Sequence, residues 1–168
     1  MDYLINSGII LISIIYILLF VILVFFNIFG GEIMLSKPEY GWCDISICDW
    51  KDRASYLTDP HLDLLDAFIG LFKSRKSQVV DCDAEGWEYK IVIDFFEVHI
   101  IESKEGYKYY SFDIGAGYLA SELIKDIEEN IEEWSKWDYC GDSKEDYLSA
   151  KKKLKYKINL LKKFLKNS

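Results

Sequence analysis

The chain has 168 residues, 51% of them hydrophobic and 16% aromatic, with a formal net charge of −8 at pH 7. Such a content excludes a disordered or low-complexity protein, and the length suits one domain with its own core. The acidic balance argues against a nucleic-acid binder, whose surface has to neutralise phosphate.

The first element is Ile9–Phe29, IILISIIYILLFVILVFFNIF, 21 residues without a charge, a Pro or a Gly. As a helix it would rise about 30 Å, the thickness of a bilayer's hydrocarbon core. Eighteen of its residues are Ile, Leu, Phe or Val, which favours insertion by about 5 to 11 kcal/mol. The pattern predicts a transmembrane anchor over residues 1–30. The preceding MDYLINS lacks Lys and Arg, and NIFGGEI offers only Gly30 and Gly31 as small residues, so a cleaved signal peptide is not expected. Lys37, with Lys51 and Arg53 beyond it, lies on the C-terminal side. That bias predicts a single-pass protein of the cell membrane with its C-terminal domain in the cytoplasm.

Residues 31–58, which follow from the Gly30-Gly31 pair and hold Pro38 and Gly41 without a clean period, read as a juxtamembrane connector. Trp42 and Trp50 either rest in the lipid headgroup layer or cap the domain's core. Residues 59–168 form the expected domain. Asp59 or Thr58 can cap a helix with Pro60 at its first position, and Leu62, Leu65, Phe68, Ile69 and Phe72 recur at helical spacing. Four strands follow: Gln78–Asp83, Trp87–Asp94, Glu97–Ser103 and Tyr107–Ile114. Ala84-Glu85-Gly86 and Lys104-Glu105-Gly106 supply hairpin turns. Trp87, Tyr89, Ile91 and Ile93 share one face, so an antiparallel meander with one covered side is expected.

Gly115-Ala116-Gly117 opens a helix running to about Trp137. Its apolar stripe is Leu119, Leu123, Ile127, Ile131 and Trp134, and opposite lie Glu122, Asp126, Glu128, Glu129, Glu132 and Glu133. Ser143 with Asp146 resembles a capping box for a last helix bearing Tyr147, Leu154, Ile158, Leu161 and Leu165 on one side and eight lysines after Ala150. Between Pro60 and Ser143 there are 19 acidic residues against 8 basic, whereas from Lys144 onward 9 lysines meet Glu145 and Asp146. An acidic body therefore carries a basic tail. That tail either packs its Leu/Ile stripe on the domain opposite the glutamates, or contacts anionic lipid through lysines such as Lys151, Lys152 and Lys155. Nucleic acid is not an expected partner, because the acidic body repels phosphate.

The motifs that imitate chemistry fail in context. Gly115-Ala116-Gly117-Tyr118-Leu119-Ala120 has the G-x-G-x-x-A form, but the helix leads to another helix rather than to a parallel strand. Asp81-Cys82-Asp83-Ala84-Glu85-Gly86 imitates a calcium loop, yet its twelfth position is Val92. His61 and His99 are the only histidines, and Cys43 and Cys48 are spaced too widely for a zinc knuckle. No metal site, cofactor or catalytic residue is expected. Cys43, Cys48, Cys82 and Cys140 are expected as free thiols on the cytoplasmic side, whereas outside the cell Cys43–Cys48 would suit a small closed loop.

From Leu62 to about Trp137, the order of helix, D-x-E turn, W-x-Y strand, meander, glycine turn and acidic helix resembles small bacterial α+β proteins, among them immunity proteins of toxin systems. The resemblance implies a non-enzymatic domain that binds and neutralises another protein. Glu128, Glu129, Glu132 and Glu133 would then face a basic partner surface. The expected fold class is thus α+β, a transmembrane helix followed by a four-stranded antiparallel meander packed with about three helices. The alternatives are a membrane-surface accessory protein that touches lipid, or a tethered hydrolase with a pocket near His99.

Overall fold

The computed structural model describes residues 34–137 and 143–167. Six strands and four helices follow in the order β1 (Trp42–Ile47), β2 (Trp50–Ser55), α1 (Pro60–Ser74), β3 (Gln78–Asp83), β4 (Glu88–Ile93), β5 (Val98–Glu102), β6 (Lys108–Phe112), α2 (Ala116–Glu129), α3 (Ile131–Trp134) and α4 (Lys144–Asn167). They make an α+β fold with two antiparallel sheets, a β1–β2 pair and a meander in the order β3-β4-β5-β6.

The meander follows the expected alternation. Tyr89, Ile91 and Ile93 turn inward on β4, as do Val98 and Ile100 on β5 and Val80 and Cys82 on β3. Two of the three reversals use left-handed backbone: Glu85 and Gly86 have φ of 52° and 142°, and Glu105 and Gly106 have φ of 59° and 97°. Helix α1 lies against β3, β4, α2 and α4, burying Leu64, Leu65, Phe68, Leu71 and Phe72. The backbone carbonyl of Asp59, not its carboxylate, accepts from the Leu62 and Asp63 amides at the start of α1. At the other end Arg75 adopts φ of 58°, and its amide closes on the Leu71 carbonyl.

The segment read as a connector is a structured hairpin. Cys43, Ile45 and Ile47 of β1 and Trp50 and Ala54 of β2 enter the same core as the meander and the helices. Met34–Ser36 runs along the β1 edge, with the Ser36 amide on the Asp44 carbonyl at 3.0 Å and the Ser46 amide on the Met34 carbonyl at 3.1 Å. One acid holds this edge to the helices. Asp126, expected on the exposed face of α2, is 3% exposed, and its Oδ2 accepts the Leu35 amide at 3.0 Å.

The expected long acidic helix breaks at Asn130, which separates α2 from the single turn of α3. The lysine-rich helix α4 packs inward through Leu154, Ile158 and Leu161.

The expectation of a transmembrane fold class and a single-pass location in the cell membrane is corrected. Among the described residues no helix is long and apolar enough to cross a membrane. The longest, α4, has 24 residues, but each lysine placed mid-bilayer would cost about 3 kcal/mol. Ile9–Phe29, on which the expectation rested, lies outside the described residues. The fold class becomes α+β with two sheets, the second of them made from the supposed connector.

Candidate functional site

The sites anticipated from sequence do not gather into one; the acidic and lysine sites meet only through Glu132 and Lys151, and most of these residues are already occupied by the chain's own side chains. Glu128 pairs with Lys162 at 2.7 Å and Glu133 with Lys37 at 3.3 Å. Glu132 meets both Lys151 and the Tyr147 hydroxyl. Of the four glutamates, Glu129 alone is exposed with no ion pair among the described residues. Trp50 is 5% exposed, which leaves it no surface for a headgroup layer. Trp42 is half-buried, with the Arg53 guanidinium 4.8 Å from its ring centroid. Lys152 and Lys155 are exposed on the outer side of α4, while Lys151 is drawn toward Glu132.

His99 stands on the outer face of the meander, which no helix among the described residues covers. Its Nδ1 lies 2.7 Å from the Tyr109 hydroxyl and 3.0 Å from Ser111 Oγ, and its Nε2 lies 3.5 Å from Glu97. Glu97, His99 and Ser111 meet here on a sheet face, and among the described residues no cleft forms around them. The buried thiols offer no nucleophile either. Burial pushes Cys43 well above the usual thiol range and Cys82 up to about 12. Cys140 lies outside the described residues.

The side chains that do converge sit where the β1–β2 turn meets the β5–β6 hairpin. The strand register explains why. Glu102 ends β5 on the same side as Val98 and Ile100, and on β6 it faces Lys108 as Ile100 faces Tyr110. Trp50 and Asp52 alternate inward on β2. Together they line a recess of about 380 Å³ with Asp49, Lys51, Lys104 and Glu105 at its margin.

Two carboxylates are nearly enclosed here, Glu102 at 5% and Asp52 at 8% exposure. A buried carboxylate is tolerated only if donors or cations compensate it. Asp52 is fully served: Oδ2 accepts the Trp87 indole N–H at 2.9 Å, Oδ1 accepts the Arg53 amide at 2.8 Å, and Lys104 Nζ stands 3.7 Å away. Lys104 also lies 4.0 Å from the Trp87 ring centroid, so one ammonium fixes both partners. Glu102 is served less well. Its Oε2 accepts the Trp50 indole N–H at a long 3.4 Å, and Oε1 receives no hydrogen bond among the described residues. Trp50 itself is locked edge-on against Tyr89 at 5.1 Å.

The sequence carried one sign of this site that went unread. In EVHIIES, Glu102 has the parity of Val98 and Ile100, so its carboxylate had to enter the inward side of the sheet.

No family model matches the chain, and no curated protein or solved structure is significantly similar to it.

Proposed function

We propose that the chain is a non-enzymatic protein-binding domain, of the toxin-neutralising type, that takes a basic partner on the face made by the β5–β6 hairpin and the adjoining recess. The observation that carries this reading is the pairing of exposed aromatics with under-compensated acid. Tyr107, just before β6, and Tyr109 on it are 89% and 63% exposed, and Tyr109 lies on the outer side of the hairpin whose inner side carries Glu102 and the recess. Tyrosine supplies large contact area at low entropic cost and is enriched at interfaces. As the last strand of the meander, β6 also has one backbone edge without a neighbouring strand among the described residues, which an extended segment of a partner can join. The acidic helix is the weaker face, because its glutamates are held by the chain's own lysines.

The test is site-specific photo-cross-linking of the full-length chain in its native cell. A photoreactive phenylalanine at position 107 is expected to give one discrete adduct, and the same group at exposed Lys125 on α2 is expected to give none. Absence of an adduct at position 107, or equal labelling from both positions, would overturn the reading.

A further inference from the structure

The charges around the recess do not balance, and the imbalance identifies what fits there. Its lining holds four acids, Asp49, Asp52, Glu102 and Glu105, and three lysines. Each lysine is already committed. Lys51 turns to Asp44 at 2.8 Å, Lys104 to Asp52 at 3.7 Å, and Lys108 to Glu105 at 3.6 Å. Among the described residues no cation pairs with Asp49 or Glu102. Asp49 is solvated at the rim. Glu102 is nearly enclosed, with one long hydrogen bond to Oε2, and its Oε1 takes no hydrogen bond from a described residue and faces the recess.

Resting on the protein-binding reading, we infer that the recess receives an arginine side chain of the partner, whose guanidinium docks on Glu102 with Asp49 at the rim. Several observations favour arginine over other cations. A guanidinium carries five donors in a fixed fork, so it can serve Glu102 Oε1 and still reach a second carboxylate. It sheds water more readily than an ammonium, which matters beside a carboxylate that is 5% exposed. Tyr110 in the lining offers a ring against which a planar cation stacks. Among the described residues no group of three or more His, Cys, Asp or Glu is placed to hold a metal ion.

A quieter role for Glu102 is to orient Trp50. The amide of Glu102→Gln keeps an oxygen to accept the indole N–H while removing the charge, so the two roles separate.

The experiment is an NMR titration of the full-length, 15N-labelled chain, read at the Trp50 indole N–H. The probe is N-acetyl-arginine methylamide, with the blocked lysine and the neutral citrulline analogues as comparisons. Arginine is expected to shift the Trp50 signal saturably with a midpoint on the order of millimolar, lysine more weakly, and citrulline not at all. Glu102→Gln is expected to weaken the arginine response about tenfold or more. Asp49→Asn, an exposed change that cannot unfold the protein, is expected to weaken it severalfold. An unmoved Trp50 signal, an equal response to citrulline, a stronger response to lysine, or an undiminished response in Asp49→Asn together with folded Glu102→Gln would overturn the inference. The two readings fail separately. A missing adduct at position 107 removes the partner face, whereas a silent Trp50 signal alongside that adduct removes only the arginine.

Discussion

Mild acid should weaken this fold through one side chain. His61, near the start of α1, is 3% exposed. Its ring stacks on Trp134 at 4.7 Å and meets Trp137 edge-on at 6.2 Å, and its Nδ1 has no hydrogen-bond partner among the described residues. Burial, aided by the nearby Lys153 ammonium, pulls its pKa from 6.5 down to about 3. Below pH 6.5 the unfolded chain therefore binds a proton that the folded chain refuses. The stability tied to His61 is complete above pH 6.5 and is lost as the pH falls toward 3, at about 1.4 kcal/mol per pH unit. The loss amounts to about 2 kcal/mol by pH 5 and about 3 kcal/mol by pH 4. His61→Phe preserves an aromatic surface for both tryptophans and has nothing to titrate. Urea denaturation followed by far-UV circular dichroism at pH 7.5, 6 and 5 would compare the two proteins. Asp94 and Glu133, lowered in the fold chiefly by hydrogen bonds to Ser77 and to the Glu133 amide, add acid sensitivity only in the carboxylate range. Asp63, raised by burial, acts with the opposite sign. All three are common to both chains and cancel in the difference. If His61→Phe loses stability between pH 6.5 and 5 as steeply as the parent, the account of a buried neutral imidazole is wrong.

Leu161→Ala, at a position with 0% exposure, should cost about 2 to 5 kcal/mol in urea denaturation; a loss under about 0.5 kcal/mol would mean that α4 does not pack as described. Asp126→Ala strands the buried Leu35 amide and should cost about 1 to 3 kcal/mol, whereas Asp126→Asn retains an acceptor. Burial raises the Asp126 carboxyl above its ordinary value, so its contribution is greatest below pH 3.8 and declines as the pH rises through the folded value. At pH 7 Asp126→Asn, which keeps one acceptor oxygen and has no charge to bury, should accordingly lose less stability than Asp126→Ala, and an equal loss would refute this. Brief treatment with iodoacetamide under native conditions should modify exposed Cys48 while sparing buried Cys43 and Cys82, as peptide mass spectrometry would report. Rapid labelling of Cys82 would contradict a thiol held protonated by burial.

The parts of the fold legible in the sequence were those with an unbroken period. Tyr89, Ile91 and Ile93 alternate cleanly, and glycines at 86 and 106 mark two of the three reversals, so the meander's strands came out within a residue or two of their observed limits. The β1–β2 hairpin escaped because polarity and burial disagree along it. In WKDRAS the inward positions are Trp50, Asp52 and Ala54, and a buried aspartate silences the apolar signal that would mark a strand. Asp126 misled for the same reason, since an acid within an acidic helix reads as solvated until a distant amide needs it. The break at Asn130 left no mark, because Leu119 to Trp134 keeps a helical stripe across it. The recess depends on two hairpins far apart in sequence, and no local pattern brings Trp50 to Glu102 across 52 residues.

The charge asymmetry, by contrast, was plain from the start, and its consequence explains where a partner can bind. The lysines of α4 close on Asp66, Glu128 and Glu132, but the Glu128 and Glu132 pairs are largely exposed and are worth at most about 1 kcal/mol each. Burial of Leu154, Ile158 and Leu161 contributes about 1.5 to 3 kcal/mol per side chain. The apolar stripe therefore holds the helix, and the ion pairs fix its rotation and register. They also neutralise the acidic helix in advance. A basic partner aiming at Glu128, Glu132 or Glu133 would have to displace lysines of the same chain, present at an effective concentration on the order of millimolar or above. Asp49 and Glu102 make no ion pair among the described residues, so an incoming cation breaks none there and contends with Lys108, which faces Glu102 from β6 and stands 3.6 Å from Glu105.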